Sequence, residues 1–129
     1  MNCIIYLVRS SEKDVEEFNK SLGLLEENLL KYTTADVLVF VEESFEKYKS
    51  KVETDLELLY QTIEFNLPDY PQKILDNIPE FYPHPTHGNG PVEWGHPGFT
   101  MGYRHMCRMF SGEVYKFPVV QEYEYYIRL

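Results

Sequence analysis

Cysteine is scarce: two residues in a chain of 129, Cys3 and Cys107. Two thiols cannot build a disulfide framework. Cys3 lies in an apolar run and Cys107 in a segment with helical spacing, which suits buried free thiols. Long hydrophobic runs are missing as well. No stretch reaches the ~18 consecutive apolar residues that a membrane span requires. The opening run Asn2–Val8 is shorter still and has no basic residue before it, so it does not read as a secretory signal. The expectation is a soluble chain with no membrane segment. Positive charge is in deficit: 12 Lys and Arg stand against 21 Asp and Glu, a net charge of −9. Nucleic acid is therefore excluded as a general partner, because binding it needs a basic face. A phosphate-bearing ligand would need placed arginines, backbone N–H groups or a divalent metal to overcome this acidic background. The G-x-G-x-x-G fingerprint of dinucleotide sites is absent, and no internal repeat occurs.

What is present is apolar and aromatic. Hydrophobic residues make up 43% of the chain and aromatic residues 16%, which argues for a folded protein. A chain of this length buries roughly two-thirds of its unfolded surface, enough for one core. Eleven tyrosines offer rings for packing and hydroxyls for a polar ligand at the rim of that core. The expected organisation is a single domain over residues 1–129.

The element pattern begins with Cys3–Val8, a continuous run rich in isoleucine and valine. Such runs fit a strand buried on both faces. Ser11 followed three residues later by Asp14 is a helix N-cap pair. Val15, Phe18, Leu22, Leu25 and Leu29 then recur at spacings of three and four, with Glu16, Lys20, Glu26 and Glu27 between them. This predicts an amphipathic helix. Val37–Val41 is a second strand of the buried type. Strand, helix and strand within about forty residues mark a βαβ unit with a parallel sheet. Glu43–Val52 is expected to be a charged helical surface segment, and the apolar stretch Leu56–Phe65 to hold a third strand at Thr62–Phe65. Residues 66–98 change character: they hold seven of the eight prolines and three of the four histidines. This predicts a long loop with one short helix at Gln72–Asn77. Met101–Phe110 has helical spacing and stops at Ser111-Gly112. Pro118–Glu122 reads as a turn of helix and Tyr125–Leu129 as a last strand.

Three constellations carry chemistry. Arg9 ends the first strand, where open parallel sheets bind ligands. With Ser10, Ser11 and a helix N-terminus behind it, it can hold a phosphate or a nucleotide edge; the bland alternative is a solvated arginine. His84, His87 and His96 raise the possibility of a metal site, but no cysteine is near, and zinc wants four converging ligands. A polar loop is the plainer reading. Trp94 could instead cover a sugar ring. Arg104 and Arg108 are four apart and share a helix face. They suit either a diphosphate or ion pairs with nearby glutamates.

The segment Met101–Leu129 carries the pattern Y-R-x-M-C-R-x-x-S-G at Tyr103–Gly112, then Y-E-Y-Y-x-R at Tyr123–Arg128. These two halves resemble the fungal α-1,2-mannosyltransferases of the Kre2/Mnt1 type, glycosyltransferase family 15. The strand ending in Arg9-Ser10 and the helix behind it are similar to that family's first βα unit. The resemblance covers most of the chain, more weakly between Phe45 and Pro91. It implies an α/β, GT-A-like (Rossmann-like) nucleotide-sugar-binding fold with a central, mostly parallel sheet. It implies transfer of mannose from GDP-mannose to a hydroxyl of a glycan acceptor, with retention and with Mn2+. It also implies that Arg9, Tyr103 and Arg128 lie at the GDP subsite, with Arg104 beside Tyr103.

In those enzymes an acidic metal motif (Glu-Pro-Asp) follows within a residue or two of the position of Arg128. Here the chain stops at Leu129, so the manganese ligands and the catalytic carboxylate are expected outside it. The family's Golgi membrane anchor is likewise not in this sequence. In a GT-A sheet the strand at Tyr125–Leu129 is flanked on both sides. Without its outer neighbour it is expected either to pair with another chain, its own copy included, or to fray. Two functions stay open: the donor-binding part of a glycosyltransferase, or a noncatalytic nucleotide-sugar-binding or protein-interaction module descended from one. A metal-binding protein built on the histidines is a third.

Overall fold

A computed structural model describes residues 1–66, 71–76, 81–82 and 99–129. They fall into two compact units, Met1–Phe65 with Pro118–Leu129, and Asn66–Phe117. The histidines His84, His87 and His96 and Trp94 lie outside the described residues, as does most of the 66–98 loop.

The first unit is built on a four-stranded parallel sheet of order β3 (Leu58–Thr62), β2 (Asp36–Val41), β1 (Asn2–Val8), β6 (Tyr125–Arg128). β1 (Asn2–Val8) and β2 (Asp36–Val41) are the two central strands. Their apolar runs are buried on both faces, as continuous hydrophobic strands of parallel sheets should be. One face carries Ile4, Tyr6 and Val8 from β1 and Val37, Val39 and Val41 from β2. The other carries Cys3, Ile5, Leu38 and Phe40, all fully buried. Register is pinned by the pairing of Ile4 with Val37 and Val8 with Val41. The α/β, Rossmann-like expectation holds: a parallel sheet with helices.

α1 (Glu12–Leu25) packs its stripe Val15, Phe18, Leu22 and Leu25 on the first face. The helix starts at Ser11 for a definite reason: the serine is extended at φ −145, ψ 154, and its side chain accepts from Asp14 N. The spacing predicts one regular helix through Leu29. Instead, the chain widens into a π-helical turn at Glu26–Leu30, with Lys31 N reaching Glu26 O at 3.1 Å. Leu29 and Leu30 are adjacent, and both pack against the core. A regular turn would set neighbours about 100° apart; the wider turn lets both reach inward.

A 3₁₀ helix (Glu43–Lys51) follows β2 and sends Phe45 fully into the core. The expected charged surface segment is thus helical, with one apolar anchor. Its end is tied back to α1 by Lys51 Nζ, 2.6 Å from Glu12 Oε1. That contact draws the Glu12 carboxyl below its usual range, through the hydrogen bond and then the charge of Lys51.

β3 is Leu58–Thr62, which corrects the placement at Thr62–Phe65. Parallel pairing with β2 runs from Val37–Leu58 to Val41–Thr62. The strand is only half-buried, so its sequence shows neither a full apolar run nor strong alternation. The partner, not the local pattern, sets its limits. Ile63, just beyond, still donates from its N to Val41 O at 2.8 Å.

A short helix α4 (Pro118–Gln121) leads into β6 (Tyr125–Arg128). β6 pairs with β1 from Asn2–Tyr125 to Ile5–Arg128. It forms the sheet edge among the described residues, and Leu129 N still donates to Ile5 O at 3.0 Å. The fraying half of the sequence expectation is therefore not met: β1 satisfies the inner side of this strand to the last residue.

Tyr123 OH donates to Asp36 Oδ2 at 2.6 Å, a link across 87 positions of sequence. It holds the entry of β6 to the start of β2. Burial, and then the hydrogen bond to the Asp36 carboxylate, push the Tyr123 phenol above its ordinary range. Folding therefore holds this proton more tightly than the unfolded chain does. Stability from this group is complete below the unfolded tyrosine pKa of ~10 and is lost as pH rises beyond it. Tyr123→Phe should cost about 1.5–3 kcal/mol near neutral pH, because Asp36 loses its donor. It should also flatten the alkaline fall. Urea midpoints for both proteins at neutral and alkaline pH test this.

In the second unit, α2 (Gln72–Leu75) stands within the predicted Gln72–Asn77 helix. β4 (Phe81–Tyr82) and β5 (Phe99–Thr100) pair antiparallel. α3 (Met101–Ser111) and a 3₁₀ turn (Glu113–Lys116) complete it. Met109 and Val114 are its fully buried side chains among those described.

Candidate functional site

The ends of β1 and β2 stand level, Val8 beside Val41. The chain leaves β1 through Arg9, Ser10 and Ser11. Ser11 N donates to Arg9 O at 3.0 Å, which closes a tight turn into α1. Asp14 N donates to Ser11 Oγ at 3.1 Å, and the Ser11 hydroxyl donates to Asp14 Oδ2. A carboxylate in the first turn also sits well with the positive end of the helix.

The other Asp14 oxygen holds Arg9. Nη2 lies 3.1 Å and Nε 3.3 Å from Asp14 Oδ1. The Arg9 side chain is 72% exposed and that of Asp14 19%, so the pair adds ~0–1 kcal/mol at most. Its importance is positional: it folds the guanidinium back over the start of α1. Ser10 Oγ lies 2.6 Å from Ser44 Oγ, joining the loop after β1 to the loop after β2. The exposed guanidinium and the start of α1 form a rim at the strand ends, which they share with the Asp14 carboxylate. Such a rim can receive an anionic or multiply accepting ligand at the strand ends.

Asp14 and Ser44 are the residues sequence reasoning missed here. Asp14 was visible as a capping residue but not as the partner of Arg9. The one signal was its place a single helical turn beyond the strand end.

Arg128 sits elsewhere on the same sheet. It is level with Ile5, so Arg9 lies four residues, or ~13 Å, further along the strand direction. It is exposed, on the sheet face that carries Ile5 and Tyr126, away from α1. The backbone does not bring these two arginines to one point. Tyr103 and Arg104 belong to α3 of the second unit. Tyr103 is exposed and Arg104 half-buried; consecutive helical residues point ~100° apart. Arg108 resolves one of the open alternatives. Its Nε is 3.0 Å from Glu113 Oε1, and Nη1 donates to Asn66 O at 3.2 Å. Ion pairing with a glutamate is what this cation does.

Among the described residues, no three His, Cys, Asp or Glu side chains converge to hold a metal ion. They do not fit a manganese centre, and no step through one follows from them. No described helix is long and apolar enough to cross a membrane.

Comparison with known proteins fixes the relationship. The family model described as glycolipid 2-alpha-mannosyltransferase matches residues 1–129. The chain belongs to this family. A relative in Saccharomyces cerevisiae, named "probable mannosyltransferase KTR5", is 26% identical over 129 residues. The match covers 97% of this chain and 24% of that protein, so the chain spans about a quarter of the length of that relative. No solved structure matches the chain. Membership in the glycolipid 2-alpha-mannosyltransferase family agrees with the parallel, Rossmann-like sheet.

Proposed function

We propose that this chain is the nucleotide-sugar-binding part of a glycosyltransferase. In this reading the full enzyme transfers mannose from GDP-mannose to a hydroxyl of a glycan acceptor, with retention, and uses Mn2+. This chain contributes donor binding. The observation that supports the reading most is Arg9, set at the end of a central parallel strand beside the start of α1, in a chain that the family model covers from end to end. Strand ends of this kind receive nucleotides in open α/β sheets. Arg9 is assigned to the diphosphate or base of GDP; for Tyr103 and Arg128 a donor role rests on the family resemblance alone, and for Arg104 on its place beside Tyr103.

Calorimetric titration of GDP-mannose into the full chain, with and without manganese, tests the proposal. The expected result is saturable binding that manganese changes little. Binding that requires manganese would move the metal site into this chain. No binding under either condition would sink the donor-binding role and leave the protein-interaction module.

A further inference from the structure

Asn19-Lys20-Ser21 is the one place in the sequence where asparagine stands two residues before serine or threonine without an intervening proline. That spacing is the acceptor pattern for N-linked glycosylation, a modification of surface loops. Here it lies inside α1, and both of its reactive groups are engaged. Asn19 Nδ2 donates to Lys51 O at 3.0 Å, and Asn19 Oδ1 accepts from Glu53 N at 2.9 Å. The Ser21 hydroxyl lies 2.8 Å from the Tyr6 hydroxyl, on a tyrosine only 5% exposed.

The geometry of the clamp decides what a glycan would do. Val52, between the two backbone partners, is extended at φ −77, ψ 119. An extended residue turns the preceding carbonyl and the following N–H toward the same side. Asn19 therefore meets both with one edge of its amide, through the Nδ2 hydrogen on the same side as Oδ1. A glycosylated asparagine is a secondary amide, and secondary amides prefer the trans arrangement. In that arrangement the sugar C1 occupies the Oδ1 side of Nδ2. This is the place of the hydrogen that now points at Lys51 O.

We propose that Asn19 is a fold-gated glycosylation acceptor: it accepts a glycan only while α1 is unpacked from Lys51–Glu53, and glycan and clamp exclude each other. The donor class is an oligosaccharide on a lipid diphosphate. Nδ2 loses one proton and bonds to the sugar C1; the C1–O bond breaks, and the lipid diphosphate leaves with the electron pair. The helix backbone adds to the gate, since its N–H and C=O groups are paired and cannot turn toward an enzyme.

The test compares the folded 129-residue chain with a peptide of residues 15–24. Each is given purified oligosaccharyltransferase and lipid-diphosphate oligosaccharide, and glycan is read by intact mass and peptide mapping. The peptide should take one glycan at Asn19 and lose that ability with Ser21→Ala. The folded chain should react at least ~100-fold more slowly, because only its locally opened fraction can react. A folded chain modified at a rate close to the peptide overturns the proposal, and so does a peptide that takes no glycan. Any glycosylated 129-residue chain should unfold at lower urea; an unchanged midpoint also overturns it.

Discussion

Replacing Phe45 with alanine is expected to lower stability by about 3–5 kcal/mol, the usual cost of emptying a buried aromatic site. The side chain is fully buried at the start of a nine-residue 3₁₀ helix. Its ring centroid lies 6.0 Å from Tyr48 and 6.2 Å from Tyr60. It is therefore the fully buried contact of this segment with β3 and with the core face of the sheet, beside the partly buried Tyr48. Hydrogen bonds within a 3₁₀ helix are poorly aligned, and long runs are uncommon. The helix consequently depends on this anchor more than an α-helix would. A domain with total stability of ~5–15 kcal/mol loses about a fifth of it or more by this one change. Urea unfolding should show a lower midpoint with an unchanged slope. Leu59→Ala on β3 is the contrast: Leu59 is 37% exposed, and the cost should stay below ~1.5 kcal/mol. Equal losses for the two substitutions would show that Phe45 is no anchor.

The contrast between these residues also shows how far the sequence could be read. β1 and β2 were legible because their runs are buried on both faces, so composition alone carries the signal. α1 was legible twice over, from the spacing of Val15, Phe18, Leu22 and Leu25 and from the Ser11–Asp14 cap. β3 was misplaced because an edge strand is half wet, and its limits come from pairing with β2. The π-helical turn escaped notice because a helical repeat cannot show which of two adjacent leucines will turn inward. Tyr123 and Asp36 are joined across 87 positions, and no local pattern encodes such a bond. At the site, Arg9 was found by its place at a strand end. Its ion pair was not, because Asp14 already had a sufficient local explanation as a capping residue. The capping role and the grip on Arg9 use different oxygens of one carboxylate, so the first gave no warning of the second.

That shared carboxylate sets up the second large effect. Under the donor-binding proposal, Arg9→Ala should weaken GDP affinity by about ten- to a hundredfold, the range for removing one charge-assisted hydrogen-bonding partner. The acidic character of the chain, at −9, makes a lone replacement cation hard to find, so the loss should not be rescued by neighbours. Arg9→Lys keeps the charge but not the planar fork, and should recover only part of the affinity. Asp14→Asn tests what the ion pair contributes. Asp14 N can still donate to Ser11 Oγ, so the helix start should survive, at a cost of ~0.3–1 kcal/mol for the lost charge. GDP affinity should then change about threefold or less, since an exposed pair is weak. Salt supplies an independent check: raising ionic strength should weaken GDP binding to the parent chain more than to Arg9→Ala. The measurement is a set of calorimetric titrations of GDP into the four proteins at two salt concentrations. Arg9→Ala binding within twofold of the parent chain would remove Arg9 from the site, whatever the rest of the family does at this position.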